Sequence, residues 1–374
     1  MPSAVNLPPG SVAVVSNFYA SLFGGPLSQL LKCLTVVKVC AEFKKNGIAT
    51  TPVCFVRQCA PPGFSQDKIN LIDRSSKIHC IKISGREAGE NGAVADCKGI
   101  EILFNEVEKI FPDGDVETLS ALKNAFIPDK DFVSSCARWI KYLMKDYGVT
   151  IVENESISLN KCPDNFESQF LPQSMMLPVA AFVVDSNEIA EEVKDAPMCE
   201  YDGITRPIIK HLPSVTISNA RIMKTLRRYG LDLTQILEGN ERVMDYVRES
   251  LKSDAPGRLL KLKDETAVVL NELKTASFFA RGERSCCISR ARSSRIIYQL
   301  EKIQKLSRAA LADKEKAAEY RIRKACDFLA PLGGRQQDAL GCAQIPLYYG
   351  MAGLRALYER LDITTPNHQL IEMD

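Results

Sequence analysis

The stretch SVAVVSNFYASLFGGPLSQLLKCLTVVKVCAEFKKNG, residues 11–47, decides the fold. Val12 to Val15 is β-branched and unbroken, the mark of a short buried strand. Gly24-Gly25-Pro26 then opens a helix, with proline at the first helical position, where its missing N–H costs nothing. Leu27, Leu30, Leu31, Leu34, Val37 and Ala41 recur at spacings of three and four and give that helix one apolar face. Lys44 and Lys45 suit its last turn, and Asn46-Gly47 supplies a left-handed stop. The next run, TPVCFV (Thr51 to Val56), reads as a second buried strand. A strand–helix–strand unit of this kind predicts parallel pairing with a right-handed crossover.

Working outward, further strands are predicted at IEILF (Ile100 to Phe104), VTIVE (Val149 to Glu153), LPVAAFVV (Leu177 to Val184) and RPIIK (Arg206 to Lys210), with a half-exposed one at KIHCIKI (Lys77 to Ile83). Helical patterns separate them, notably DFVSSCARWIKYLMKDYG, ending at Gly148, and SNARIMKTLRRYG, ending at Gly230. The alternation predicts an α/β protein, a Rossmann-like, doubly wound, mostly parallel sheet with helical insertions, over residues 1–250. Residues 251–330 change character, being charged and helical throughout. Leu259, Leu262, Thr266, Val269, Leu273, Ala276 and Ala280 step by three and four alternately, a heptad seam. Arg281 to Glu283 is the expected bend of a hairpin, and Ile296, Leu300 and Ile303 continue the seam. An antiparallel coiled coil is predicted, able to pair with a second subunit. Residues 331–374 are apolar enough to dock back on the core.

Composition narrows the class. The chain has 374 residues, 45% hydrophobic and 25% charged, with a net charge of +2. Such a balance gives no argument for nucleic acid or an anionic membrane as partner. No apolar run approaches bilayer length, and the first ten residues lack the basic start and apolar core of a signal peptide. The 13 cysteines are scattered, with no C-x-x-C pair. They read as reduced cytoplasmic thiols rather than disulfides or a metal site.

Candidate site residues follow from the predicted strand ends, since open α/β sheets bind ligands outside their carboxyl edges. Gly24 and Gly25 before a helix start offer free N–H groups to an anion, or else make a tight packing turn. Ser16 and Asn17, at the end of the first strand, can line a pocket or sit in an ordinary turn. Asp185 through Glu188 has the spacing of a helix capping box. His211 ends a predicted strand and is the best placed of three histidines; His79 reads as structural and His368 as a packing residue. Lys32, beside Lys38 on the helix, reads as solvated. Cys54 and Cys59 are candidate thiols, though a cysteine beside prolines is usually inert. The phosphate-binding pattern G-x-x-x-x-G-K-[ST] is absent, which weighs against an unrelated nucleotide-binding transferase.

Four stretches carry a resemblance. LFGGPLSQLLKCLTVVKVCAEF, LPQSMMLPVAAFVVDSNEIA, RPIIKHLPSVTISNARIMKTLRRYGLDLTQIL and RQQDALGCAQIPLYYGMAGLRALYERLDITTPNHQLIEMD lie in the same order in the bacillithiol biosynthesis cysteine-adding enzymes, the cysteine ligase BshC family. The chain resembles a shortened and divergent member. That resemblance implies a cytoplasmic ligase with a Rossmann-like core and a coiled coil supporting a homodimer. The implied reaction joins the carboxyl of L-cysteine to the amine of glucosaminyl malate, giving a low-molecular-weight thiol. Amide formation from a free carboxylate is uphill in water, so nucleotide activation of cysteine is expected, with ATP/ADP the candidate cofactor; no metal site is apparent. Gln173 and Glu188 match family positions and join the pocket set.

The departures point elsewhere. Where the family has threonine-glycine-glutamine-glutamine, this chain has Ser16, Asn17, Phe18 and Tyr19. Where it has a Glu-Asp-His-Asp cluster, this chain has QCAPPG, residues 58–63, with no acid or base. An expected arginine is Gln169, and an expected Pro-Arg is His211-Leu212. Two functions therefore stand: a cysteine ligase, or a relative that has lost the reaction and serves as a dimeric binding or scaffolding protein.

Overall fold

The computed structural model describes residues 7–58, 60, 64–83, 99–128, 130–153, 179–185, 208–237, 240–252, 255–279, 285–365 and 367–373. Two compact units emerge, Met1–Ala220 with Asp327–Asp374, and Arg221–Cys326.

The first unit is built on five parallel strands: β1 (Val12–Tyr19), β2 (Thr50–Arg57), β5 (Thr150–Glu153), β6 (Val179–Val184) and β7 (Ile208–His211). Their order is β5-β2-β1-β6-β7, with β1 pairing in parallel with both β2 and β6. The chain leaves β1 toward one edge through β2 and β5, then returns to fill the other edge with β6 and β7. That reversal makes the sheet doubly wound and puts its switch point between β1 and β6, where such sheets bind ligands. All eight residues of β1 are buried, as a central strand with neighbours on both sides requires.

Side-chain alternation splits the core in two. Val14 and Phe18 face the larger core, which holds α1 (Leu27–Lys45), α2 (Ile100–Ile110), α3 (Val116–Ala125) and α4 (Phe132–Leu143). Ala13 and Val15 face a smaller core with Val53, Phe55, Phe182 and Val184. Asp115 and Asp131 cap α3 and α4, accepting from the N–H groups of Thr118 and Ser134. A hairpin, β3 (Lys68–Ile72) with β4 (Ile78–Lys82), packs on the same unit. Its turn is held by Asp73, whose Oδ1 accepts from the Ser75 and Lys77 amides and whose Oδ2 lies 2.9 Å from His79 Nε2. His79 is thus a structural residue, as its strand position implies.

One predicted strand is corrected. IEILF belongs to α2, not to the sheet. Ile100, Leu103, Phe104, Val107 and Ile110 are buried at helical spacing while Ile102 is 68% exposed. A five-residue apolar window cannot separate the two periods; the ten-residue window does.

The second unit holds α5 (Ala220–Tyr229), α6 (Leu233–Leu237), α7 (Asn240–Lys252), α8 (Ala255–Phe279) and α9, whose helix runs Ser285–Leu329. The two long helices meet where Lys263 Nζ donates to Gln304 Oε1 at 2.6 Å. The seam residues Leu259, Leu262, Val269, Ile296 and Ile303 remain between 41% and 59% exposed in the single chain. The bend at Arg281–Glu283 lies outside the described residues.

The closing segment returns to the first unit. It contains α10 (Gln336–Ala339), α11 (Gln344–Arg360) and β9 (Gln369–Met373), and β9 pairs in parallel with β8 (Val215–Asn219). Three glutamine side chains fasten it. Gln336 Oε1 accepts from the Ile217 N–H, and its Nε2 donates to the Ile217 and Phe328 carbonyls. Gln337 Oε1 accepts from the Val215 N–H, and Gln344 clasps both backbone groups of Ile72. The primary amides of Gln336 and Gln344 each copy the donor–acceptor pair of a neighbouring strand. A Gln336→Ala variant is expected to lose about 2–4 kcal/mol of stability, because it leaves buried backbone groups unpaired. Denaturant unfolding measures this, and amide exchange at Ile217 should quicken in parallel.

Candidate functional site

The turn after β1 shows what the two glycines do. Ser21 Oγ donates to the Tyr19 carbonyl at 3.0 Å, and Cys136 Sγ donates to the Ser21 carbonyl. Leu22–Gly24 forms a single tight 3₁₀ turn, with Phe23 left-handed at φ 49° and wedged against Phe104 and Phe126. Gly24 and Gly25 have φ of 88° and 71°. A Cβ on Gly24 would lie 2.9 Å from Trp139 Cδ1, and one on Gly25 would lie 2.3 Å from Ser21 Oγ. The Gly25 carbonyl accepts from the Cys342 N–H, and the Leu27 N–H donates to the Leu340 carbonyl, both at 2.7 Å. Pro26 is the N-cap residue of α1 rather than its first helical residue. Gly24 and Gly25 therefore face Trp139, Ser21 and the closing segment, and α1's first amide is already engaged.

Polar groups gather instead at the switch point. Gln29 and Lys32 lie three residues apart on α1 and so share a face. Gln29 Oε1 accepts from the Tyr19 N–H at 3.1 Å, so its amide abuts the carboxyl end of β1. Lys32, fully buried, puts its Nζ 3.1 Å from Oδ2 of Asp185, the residue that follows β6. The same ammonium lies 5.0 Å from the centroid of the Tyr19 ring. Asp338 on α10 feels this cluster: burial and the Asp185 charge raise its pKa above the usual carboxylate range, against the pull of Arg335. Within this cluster Gln29 Nε2, a buried polar atom, has no hydrogen-bond partner among the described residues.

The raised pKa carries a sign. A carboxyl that holds its proton more tightly when folded contributes stability below the ordinary carboxylate pKa, about 4, and loses it as pH rises through the folded value. Asp338→Asn is therefore expected to be more stable than the parent chain at neutral pH and indistinguishable from it below about pH 4. Thermal melts across that range measure the difference.

The other residues singled out by sequence are spread around this point. Ser16 is buried on the α1 face, with Oγ 3.4 Å from Cys54 Sγ. Asn17, next along β1, projects to the opposite face by strand alternation. His211 ends β7, paired with Val184 and exposed. Gln173, Glu188 and Cys59 lie outside the described residues. Lys32 is a correction: it is fully buried in an ion pair rather than solvated. Its neighbours Leu30, Leu31, Cys33 and Leu34 are buried as well, and a helix apolar nearly all round leaves a lysine no solvent face. His368 is hydrogen-bonded to Ser214 Oγ and Thr216 Oγ1 across the β8–β9 pair.

Two surface cavities lie apart from the switch point. One, of about 210 Å³, is lined by Lys38, Glu42, Tyr358 and Asp362. The other, of about 650 Å³, lies along α3 and α4 with Glu117, Asn124, Arg138 and Tyr142. Among the described residues no group of three or more His, Cys, Asp or Glu could hold a metal, and no helix is long and apolar enough to cross a membrane.

No protein-family model matches the chain. Its sequence is similar to the "Putative cysteine ligase BshC" of Salinibacter ruber (strain DSM 13855 / M31), at 24% identity over 220 residues. The match covers 57% of this chain and 40% of that protein, so it spans less than half of the relative's length. The relationship is distant.

Proposed function

We propose that the chain is a cysteine ligase of the bacillithiol type, forming an amide between L-cysteine and the amine of glucosaminyl malate. One observation carries the reading: a buried cation, a carboxylate and an unpartnered amide nitrogen converge at the switch point of a doubly wound sheet, in a chain distantly similar to a protein of that name. An amino acid needs such a mixture. Gln29 Nε2 and the Lys32 ammonium suit its carboxylate, while Asp185 suits its ammonium group. Asp338, with its raised pKa, suits the proton that an attacking amine must lose. ATP is the proposed source of activation, leaving ADP. The reaction belongs in a reducing cytoplasm, and among the described cysteines Cys33, Cys40, Cys54, Cys80 and Cys342 are free thiols.

The long helices favour a second reading. Leu262, Val269, Tyr298 and Leu306 are each more than half exposed, an apolar stripe suited to a second copy through a coiled coil. A homodimer is compatible with the ligase, and it would be the main function of a relative that had lost catalysis. The test is direct: incubate the purified chain with glucosaminyl malate, L-cysteine and ATP, and follow bacillithiol by mass spectrometry. Product above an enzyme-free control supports the ligase. Its absence, from folded protein, removes that reading and leaves the dimeric binding protein.

A further inference from the structure

The sulfurs of Cys33 on α1 and Cys54 on β2 lie 3.5 Å apart, each side chain at most 1% exposed. Nothing in the proposed ligase chemistry uses them. The pair is tied into the switch point at both ends: Cys54 Sγ lies 3.4 Å from Ser16 Oγ, and Cys33 directly follows Lys32 in α1. We propose that Cys33 and Cys54 form an oxidant-responsive dithiol, which a peroxide converts to an intramolecular disulfide beneath the site.

Two features separate this pair from ordinary buried cysteines. The first is distance, since closing 3.5 Å to a covalent bond takes only a small approach of α1 to β2, which already pack together. The second is asymmetry. Hydrogen bonding to Cys33, helped by Ser16 and the Lys32 charge, lowers the Cys54 pKa against the opposing effect of burial. Hydrogen bonding to Cys54, with burial, pushes Cys33 well up. Burial is the main cause that pushes Cys40 up to about 11 and Cys342 up to about 12. Cys54 is thus poised as the attacking thiolate and Cys33 as the resolving thiol.

The chemistry balances. The Cys54 thiolate attacks one peroxide oxygen, the O–O bond breaks, and the departing hydroxide takes a proton to become water, leaving a sulfenic acid. The Cys33 sulfur then attacks the Cys54 sulfur, the S–O bond breaks, and a second water leaves with the Cys33 proton. Two thiols are oxidised and one peroxide is reduced. Burial selects a small neutral oxidant over a bulky disulfide. The bond draws Cys54 away from Ser16 and shifts Lys32 with its neighbour.

Peptide mapping of the parent chain tests this without reference to ligase activity. The reduced protein is exposed to hydrogen peroxide in native buffer, denatured, blocked with iodoacetamide and digested with trypsin. The expected product is peptide 33–38 disulfide-linked to peptide 46–57, at least tenfold above any other cysteine pairing and lost on reduction. In Cys33→Ser, dimedone should instead trap a sulfenic acid on Cys54. The proposal is overturned if both cysteines emerge alkylated while exposed Cys80 has been oxidised. It is equally overturned if linkages scatter among many cysteines, the pattern expected of the guanidine-unfolded chain. The parent chain alone decides, so a variant that fails to fold changes nothing.

Discussion

Lys32→Met is expected to destabilise the protein by about 3–5 kcal/mol, the cost of leaving a buried carboxylate without its partner. Lys32 is 0% exposed and Asp185 is 6% exposed, with 3.1 Å between their charged atoms. Methionine keeps most of the lysine's length, so the effect isolates charge from volume. Asp185→Leu should be damaging for the same reason, with the buried ammonium now deprived of the Asp185 charge. The double variant should recover much of the loss, because a buried ion pair replaced on both sides by apolar groups is often neutral or stabilising. Ligand binding should not return with stability in the double variant, and that separates a functional pair from a structural one. Denaturant unfolding of the two singles and the double completes the cycle. Single variants within about 1 kcal/mol of the parent would mean that the pair is solvated and the site wrongly drawn.

Gly25→Ala is expected to be about as costly, at roughly 2–4 kcal/mol. An alanine there must hold φ near 71° and place its Cβ 2.3 Å from Ser21 Oγ. Ser21 cannot swing away freely, because its hydroxyl donates to the Tyr19 carbonyl at 3.0 Å. Gly24→Ala should cost somewhat less, since Trp139 Cδ1 and Cys342 Sγ lie at 2.9 and 3.0 Å. Gly47 is the internal comparison: its φ is 82°, yet nothing lies within 4 Å of its would-be Cβ. Gly47→Ala should therefore show the backbone penalty alone, about 1–2 kcal/mol. Equal losses at Gly25 and Gly47 would remove steric contact from the explanation. The result bears on function, because a turn filled by its own protein has less room for an anion.

The legible part of the fold was the part governed by period. β1, α1 and β2 follow from alternation between unbroken β-branched runs and a three-four apolar spacing, and β5, β6 and β7 follow in the same way. β8 and β9 were missed as strands because VTISN and QLIEM are short and half polar, and their pairing joins segments far apart in the chain. The glutamines at 336, 337 and 344 were also invisible. A sequence shows an amide as a polar residue, and only the fold reveals that it stands in for a strand. The candidate site is legible only as a place, the carboxyl edge of the sheet, and not as a set of residues. Lys32, which reads as solvated beside Lys38, carried a signal of burial in its apolar neighbours; Asp185 carried none, since its role depends on which strand lies beside β1.

The most direct test of the account is a crystal structure of the protein with L-cysteine and a non-hydrolysable ATP analogue. The expected result is cysteine at the carboxyl ends of β1 and β6, hydrogen-bonded to Gln29 Nε2 and close to Lys32 and Asp185. Cysteine seated instead beside Lys38 and Tyr358, or along α3 and α4 by Arg138, would contradict it.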